Sequence, residues 1–268
     1  MAKQVQVIKK QQQQIVKLLQ SMDGKFNRWE IWQDFILMMA TSIANRFQDP
    51  HGQEREETYL KAVKKYSKKE LGTFAEMCAY VVEGMDQDPE QDFLGSLFMA
   101  LELGSNWKGQ FFTPYNVCQM MGQVSGVQHV KEQLENRGWV VVNDPACGAG
   151  ATLIALANEC KKAGINYQQK ILFTGQDLDR LAAMMCYIQL SLLGCPGYVV
   201  IGDTLLHPAT AYDKRSLLPT YGQDVWFTPM YYSDIWAGRQ IAASMDLLIG
   251  RMNTRTVKEK VPAGLLFF

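Results

Sequence analysis

The sequence predicts an α/β protein in which a doubly wound, mostly parallel sheet follows an all-helical N-terminal domain. Three observations predict this class. Apolar side chains recur at helical spacing through the first hundred residues, which contain no strand pattern. From residue 138 onward, short β-branched runs alternate with helical segments, as in βαβ units. Glycine-rich or acidic turns follow these runs. We therefore predict two domains, 1–108 and 109–268.

Composition and charge exclude several classes of protein. The chain has 268 residues, 47% of them hydrophobic, and its 27 basic side chains balance 27 acidic ones. This is ordinary globular composition, and no apolar run reaches the length of a membrane span. The N-terminus does not resemble a secretory signal, so we expect a cytoplasmic protein without membrane contact. Both predicted domains are close to neutral, which disfavours tight solitary binding to nucleic acid.

Four helices are predicted in the N-terminal domain, after a Gln-rich stretch that can continue a helix or fray. The first spans 26–43 and places Trp29, Trp32 and Phe35 on one face. A solvated helix follows at 56–66. Ser67 and Glu70 form a capping-box pattern that predicts the start of the next helix, at 71–83. An apolar helix at 96–103 follows Asp92-Phe93-Leu94-Gly95.

The C-terminal domain is predicted to contain three strands in βαβ units and two further strand candidates. The three strands are 139–142, 170–175 and 197–201, with helices at 152–163 and 180–193. The further candidates are 224–231 and 263–268, on either side of a helix at 233–249.

Acidic residues follow three consecutive predicted strands. Asp144 opens a glycine-rich turn that leads into a helix, and Asp177 and Asp203 follow the next two strands. The carboxyl ends of parallel strands meet at one edge of a sheet, where doubly wound folds bind ligands. An acid after the second strand is placed to accept hydrogen bonds from ribose hydroxyls. The alternative is that each aspartate only caps the helix after it.

Cysteine and histidine spacing predicts no metal site. The six cysteines form no Cys-x-x-Cys pair, and no histidine stands near them at zinc-like spacing. We expect buried free thiols in a reducing compartment. The three histidines are scattered and indicate no hydrolase triad.

The glycine turn resembles a known signature. Asp144-Pro145-Ala146-Cys147-Gly148-Ala149-Gly150 is similar to the DPACGSG motif of S-adenosylmethionine-dependent adenine-N6 DNA methyltransferases, above all the modification subunits of type I restriction-modification systems. Upstream, Gly109–Pro114 resembles the family's GxFFTP motif, and Gly202–Leu205 resembles its GDTL. The specific motifs cover residues 90–206. The resemblance implies a Rossmann-like methyltransferase sheet and methyl transfer to the exocyclic amine of adenine in DNA.

The same resemblance implies which residues bind S-adenosylmethionine. Those that close over its methionine part are Phe112, Thr113 and Pro114. Those that line the cofactor turn are Asp144, Ala146, Gly148 and Gly150. Those that hold the nucleoside are Asp177 at the ribose hydroxyls and Asp203 at the adenine amino group, with Thr204 beside it.

The sequence departs from the family at the catalytic motif. Family members place Asn/Asp-Pro-Pro-Tyr/Phe after the fourth strand, where the Asn and the aromatic ring hold an extruded base. The only candidate here is Thr228-Pro229-Met230-Tyr231, so we predict Thr228, Pro229 and Tyr231 as the catalytic residues. A hydroxyl does not reproduce the geometry of the amide, and losing such a contact costs roughly 10²–10³ in rate. Alternatively, 225–231 is only a core strand.

These departures leave competing functions open. The first is an adenine-N6 DNA methyltransferase. The second is a catalytically inactive regulatory protein of the same fold that binds S-adenosylmethionine and binds DNA or a protein complex. A methyltransferase for another amine, in RNA or protein, fits the motifs less well. Few residues follow Asp203, so we expect the sheet to lack its closing hairpin and the chain to lack a target-recognition domain. We therefore expect DNA as substrate and a specificity subunit or a second copy as partner.

Basic residues near the C-terminus form a locally positive segment that could contact phosphates or be a solvated helix face. They are Arg239, Arg251, Arg255, Lys258 and Lys260.

Overall fold

Helices make up the N-terminal part of the computed structural model, which describes residues 9–47, 51–101, 112–213, 215–220 and 222–259, with side chains up to 249. The helices of the first two ranges are α1 (Lys10–Ser21), α2 (Arg28–Ala44), α3 (Gly52–Val63), α4 (Lys68–Gln87) and α5 (Phe93–Ala100). No strand occurs before residue 140 within the described ranges, as predicted.

The start of α4 shows how the sequence fixes these helices. The backbone N–H of Ser67 donates to Oε2 of Glu70 at 2.7 Å, and the N–H of Glu70 donates back to the hydroxyl of Ser67 at 3.4 Å. The predicted capping box is therefore confirmed, and it satisfies two backbone donors that a helix start would leave unpaired.

Strands and helices alternate in the second part. Three helical segments precede the sheet: α6 (Tyr115–Met121), a π-helical turn (Gly122–Gly126) and α7 (Val127–Arg137). The parallel strands with their connecting helices are β1 (Val140–Asp144), α8 (Ala151–Lys162), α9 (Tyr167–Lys170), β2 (Ile171–Asp177), α10 (Arg180–Leu192) and β3 (Gly197–Ile201). The remaining elements are β4 (Asp224–Phe227), a 3₁₀ turn (Pro229–Tyr232) and α11 (Asp234–Glu259).

The four strands form one mixed sheet in the order β1-β2-β3-β4. The first three are parallel, with Asp144 opposite Gly175 and Asp177 opposite Ile201. The fourth is antiparallel to β3 and pairs Tyr198 with Phe227. The predicted α/β class is confirmed. Because β4 runs the other way, it begins at the edge where β1, β2 and β3 end, and it ends at the opposite edge.

β4 is shorter than the sequence predicts. The predicted strand covers 224–231, but β4 ends at Phe227 and a 3₁₀ turn begins at Pro229. Proline has no N–H to donate to a ladder, which explains the early end. The predicted strand 263–268 lies outside the described residues, as do the side chains of Arg251, Arg255, Lys258 and Lys260.

The helices and the sheet share a core. One continuous cluster of buried apolar side chains includes Phe35 of α2, Phe93 of α5, Met185 of α10, Phe173 of β2 and Trp226 of β4. The predicted boundary at 108/109 falls between described ranges, and this core extends across it.

Buried side chains of α11 pack in a second cluster with side chains of β2, β3 and β4 and of the segment after β3. The indole of Trp236 packs edge-on against Trp139, just before β1, at 6.0 Å between ring centroids. The guanidinium of Arg239 lies over both rings and donates to the carbonyl of Gln169. No helix in the described ranges is long and apolar enough to cross a membrane.

Candidate functional site

The glycine turn between β1 and α8 has a backbone that only glycine adopts readily. Gly148 has φ +53° and Gly150 has φ +96°, both in the left-handed region. A Cβ atom on Gly150 would lie 2.8 Å from Sγ of Cys186, so α10 packs directly against the turn. The turn is therefore held by its own backbone shape and by the neighbouring helix.

The carboxylate of Asp144 closes the turn on itself. One oxygen accepts a hydrogen bond from the N–H of Ala146 at 3.1 Å, and the other accepts one from the hydroxyl of Thr152 in α8. Asp144 thus links the end of β1 to the first turn of α8.

Asp177 joins the end of β2 to the same turn. Its Oδ2 accepts a hydrogen bond from the N–H of Gly148 at 2.8 Å, and its Oδ1 accepts one from the N–H of Asp179 at 2.8 Å. The acid after the second strand is therefore in direct contact with the glycine turn. Both lie at the edge of the sheet where the sequence predicts that they meet.

The turn after β3 reaches the same place. The hydroxyl of Thr204 donates to the carbonyl of Pro145 at 2.7 Å, while Asp203 accepts from the N–H groups of Leu205 and Leu206. The alternative that these aspartates serve their own turns is partly correct, since each of the three accepts from the N–H two residues further on. Local capping does not explain the hydrogen bonds that Asp177 and Thr204 form with the glycine turn.

Phe112 forms the wall above the turn. Its ring is so close to Gly148 that a Cβ there would lie 3.0 Å from Cδ1, and it packs on Phe98 at 5.7 Å between centroids. A cavity of about 90 Å³ lies between this wall and the turn. The residues that line it are Phe112, Thr113, Asp144, Ala146, Cys147, Gly148, Ala149, Ala151 and Thr152. Such a volume accommodates one end of a cofactor-sized ligand, since pockets for whole ligands measure roughly 300–1,000 Å³.

Apolar side chains flank the open part of this edge. Leu178, next to Asp177, is 72% exposed, and Leu205, next to Thr204, is 92% exposed. Apolar side chains that line a site beside a few polar groups are common in ligand pockets. Neither leucine was predicted from the sequence as a site residue, although each directly follows one.

The thiol of Cys147 within the turn is structural. It is buried, and its hydrogen bond with Cys186, together with burial, raises its pKa well above the usual value. A thiol held in its neutral form is a poor nucleophile. All six cysteines are unpaired thiols. The described residues contain no group of His, Cys, Asp or Glu side chains that could hold a metal ion.

The predicted catalytic tetrapeptide lies elsewhere. Thr228 follows β4 and is fully buried at the opposite edge of the sheet, where its hydroxyl donates to the carbonyl of Cys195 at 2.7 Å and accepts from the N–H of Gly197 at 3.0 Å. Pro229 begins the 3₁₀ turn, and the hydroxyl of Tyr231 donates to the carbonyl of Leu217.

This position does not support the predicted catalytic role of Thr228, Pro229 and Tyr231. The physical reason is the direction of β4: an antiparallel strand ends where β3 begins, away from the glycine turn. The alternative of a core segment with an aromatic rim describes these residues better.

A comparison with protein-family models gives a match that includes the site. The model of the N-6 DNA methylase family matches residues 97–258, which include the glycine turn, Asp177, Asp203 and Thr204. The chain belongs to the N-6 DNA methylase family. The resemblance predicted from the sequence is thereby confirmed, and membership implies S-adenosylmethionine as the cofactor.

Two solved structures are similar to the chain at low identity. One is a candidate class I S-adenosylmethionine-dependent methyltransferase of Listeria monocytogenes, with 13% identity, a TM-score of 0.37, and coverage of 73% of this chain and 54% of that one. The other is a type I restriction-modification methyltransferase subunit of Streptococcus thermophilus, with 18% identity, a TM-score of 0.36, and coverage of 75% and 41%. The chain thus spans about half the length of these structures. Comparison with curated proteins returned no significant match.

Gln189 is a site residue that the sequence analysis missed. It is fully buried in α10, and its amide donates to the carbonyl of Ala149 in the glycine turn at 2.8 Å. The available signal was a single glutamine within the otherwise apolar stretch Met184–Leu190.

Proposed function

We propose that this member of the N-6 DNA methylase family binds S-adenosylmethionine at the carboxyl edge of β1, β2 and β3 and serves methyl transfer to the exocyclic amine of adenine in DNA. The observation that carries the proposal is the hydrogen bond from the N–H of Gly148 to Asp177. It joins the glycine turn and the acid of the second strand into one polar surface beside a small cavity, which is the arrangement a nucleoside cofactor requires.

The proposed contacts follow from this geometry. The carboxylates of Asp177 and Asp203 each retain lone pairs beyond those used by backbone N–H groups. Asp177 can therefore accept hydrogen bonds from the ribose hydroxyls of the cofactor, and Asp203 can accept one from the amine of the cofactor's adenine. The exposed Leu178 offers an apolar surface for the face of the base. Thr204 orients the third turn through its bond to Pro145.

The cavity under Phe112 is proposed to take the methionine end. Thr113 and Asp144 line it, together with Ala146, Gly148 and the start of α8, and Gly150 gives the backbone the shape that opens it. Pro114 lies directly after Thr113, at the N-terminal cap position of α6.

When bound, S-adenosylmethionine would supply an activated methyl group on a sulfonium for transfer to the amine of adenine. The residues of this chain contribute binding and orientation, which supply much of the rate of such a bimolecular reaction.

Thr228 and Tyr231 lie at the far edge of the sheet from the glycine turn. We therefore propose that a partner, either a specificity subunit or a second copy of this chain, provides the groups that hold the amine of the target adenine. The zero net charge fits this proposal, because extruding a base from a duplex requires an electrostatic grip that a neutral chain does not supply alone.

Calorimetry with S-adenosylmethionine tests the cofactor site. We expect the wild type to bind, and Asp177→Ala to weaken binding about 10- to 100-fold, as expected for the loss of charge-assisted hydrogen bonds. The matched control is Asp179→Ala, which removes the cap of α10 but no proposed cofactor contact. Unchanged affinity in Asp177→Ala would exclude this site.

A second function is favoured by the position of Thr228: a module that binds the cofactor without transferring the methyl group. Transfer of labelled methyl to adenine-containing duplexes, with the purified chain and in cell extract that supplies partners, separates the two. Label in DNA only in the presence of extract supports the need for a partner. No label under either condition, despite cofactor binding, supports the binding module.

A further inference from the structure

A buried hydrogen-bond network connects the helical region to the glycine turn. Its centre is the side-chain amide of Gln189, whose nitrogen donates to Oδ1 of Asp92 and to the carbonyl of Ala149, both at 2.8 Å. Its oxygen accepts from the N–H of Leu94 at 3.0 Å. Gln189 therefore contacts the loop before α5, the first turn of α5 and the cofactor turn at once.

The network is buried, and every polar atom of the Gln189 amide at its centre is hydrogen-bonded. Gln189 and Leu94 are completely buried, Ala149 is 1% exposed and Asp92 is 5% exposed. Both amide hydrogens and the amide oxygen of Gln189 have partners, and burial raises the pKa of Asp92 above its usual value. A buried network is costly to disturb, because each lost partner leaves a polar atom without water.

The start of α5 also touches the turn through apolar contacts. A Cβ on Gly95 would lie 2.7 Å from the Cβ of Ala149, so the helix and the turn are as close as glycine allows. The N–H of Gly95 donates to Asp92 at 2.9 Å, which fixes the helix start. Further along α5, Phe98 packs on Phe112, the wall of the cavity. The same helix thus supports both sides of the cavity.

We propose that Gln189 is a positioning residue for the cofactor: it holds the carbonyl of Ala149, and through it the Gly148–Gly150 turn, against the start of α5. It does not line the cavity, so it acts through the turn and not by contact. The helical region is then a structural part of the cofactor site. This inference rests on the proposed function, because it concerns affinity for S-adenosylmethionine.

The experiment compares two buried glutamines. Gln189→Met keeps the volume but removes all three hydrogen bonds. Gln91→Met is the matched control, because Gln91 is also buried and its amide also donates to two carbonyls, but these belong to Gly84 and Asp88 and not to Gln189, Asp92 or the glycine turn. Both variants are purified, their unfolding midpoints are measured, and binding of S-adenosylmethionine is measured by calorimetry well below those midpoints.

We expect Gln189→Met to bind the cofactor about 10-fold more weakly than wild type and Gln91→Met to bind normally, even if both lose similar stability. Wild-type affinity in Gln189→Met, or equal weakening in both variants, would overturn the positioning role while the proposed function stands. Absence of binding by the wild type would instead overturn the proposed function.

A second measurement uses the wild type and does not depend on a variant folding. Hydrogen exchange of the Leu94 and Gly95 amides is followed with and without S-adenosylmethionine. If Gln189 couples the turn to α5, the cofactor slows exchange of these two amides more than that of α4 amides such as Val81. Slowing confined to the 146–150 turn would contradict the coupling.

Discussion

Two features make Gly150 hard to replace: its positive φ and the close approach of Cys186. A comparison with Gly164, which has only the first, separates their effects. Both have positive φ, +96° and +76°, but a Cβ on Gly150 would approach Cys186 to 2.8 Å, whereas nothing lies within 4 Å of one on Gly164. We expect Gly164→Ala to lower the free energy of unfolding by about 1 kcal/mol, through backbone strain alone. Gly150→Ala should lose about 2–4 kcal/mol, because overpacking adds to that strain.

Urea denaturation of both variants tests this prediction. Equal losses of stability would show that α10 yields at Cys186 and that only the backbone matters at Gly150.

The sequence predicted correctly that the glycine turn and the three aspartates meet at one edge of the sheet, because each lies at or directly after the end of a parallel strand. Their bonds were not predictable, because the contacts of Asp177 with Gly148 and of Thr204 with Pro145 join residues 29 and 59 positions apart.

At the scale of elements, the direction of β4 was not predictable from the sequence. Periodicity located a strand near residue 224, and the structure shows that it pairs antiparallel with β3, which places Thr228 at the far edge of the sheet. Beyond the end of β4, the hydroxyl of Thr228 donates to the carbonyl of Cys195 and accepts from the N–H of Gly197 at the edge of the sheet.

We expect Thr228→Val to lower the free energy of unfolding by about 1–3 kcal/mol, because the change keeps the shape but leaves the Gly197 N–H without its acceptor. Affinity for S-adenosylmethionine should remain unchanged, since Thr228 lies at the far edge. Thr73→Val is the control: its hydroxyl donates to a carbonyl on the exposed side of α4, so little stability should be lost. A stable Thr228→Val protein that binds the cofactor but loses methyl transfer would restore the catalytic interpretation.

For the whole molecule, the sequence predicts two domains, and one large cluster of buried apolar side chains includes residues of both. The sequence pattern changes from helical to alternating only near residue 138, and a change of secondary structure does not by itself mark a domain boundary. The buried side chains of α2, α5 and α10 form one cluster with those of β2 and β4. Polar contacts join the same parts: the guanidinium of Arg55 in α3 stacks on Trp226 at 3.9 Å and pairs with Asp224.

A shared core predicts a shared unfolding transition. Amides deep in α2, such as Phe35, and in β2, such as Phe173, should exchange hydrogen only through global opening and so give the same free energy at each urea concentration. Amides of α11 beyond Ala243 should exchange at lower free energy, because Met245, Leu248 and Ile249 on that helix are more than half exposed. Native-state exchange read by mass spectrometry distinguishes the outcomes. Opening of α2 at a clearly lower free energy than β2 would show that the helical region unfolds as a separate domain. It would also contradict the proposal that the helical region supports the glycine turn through Gln189.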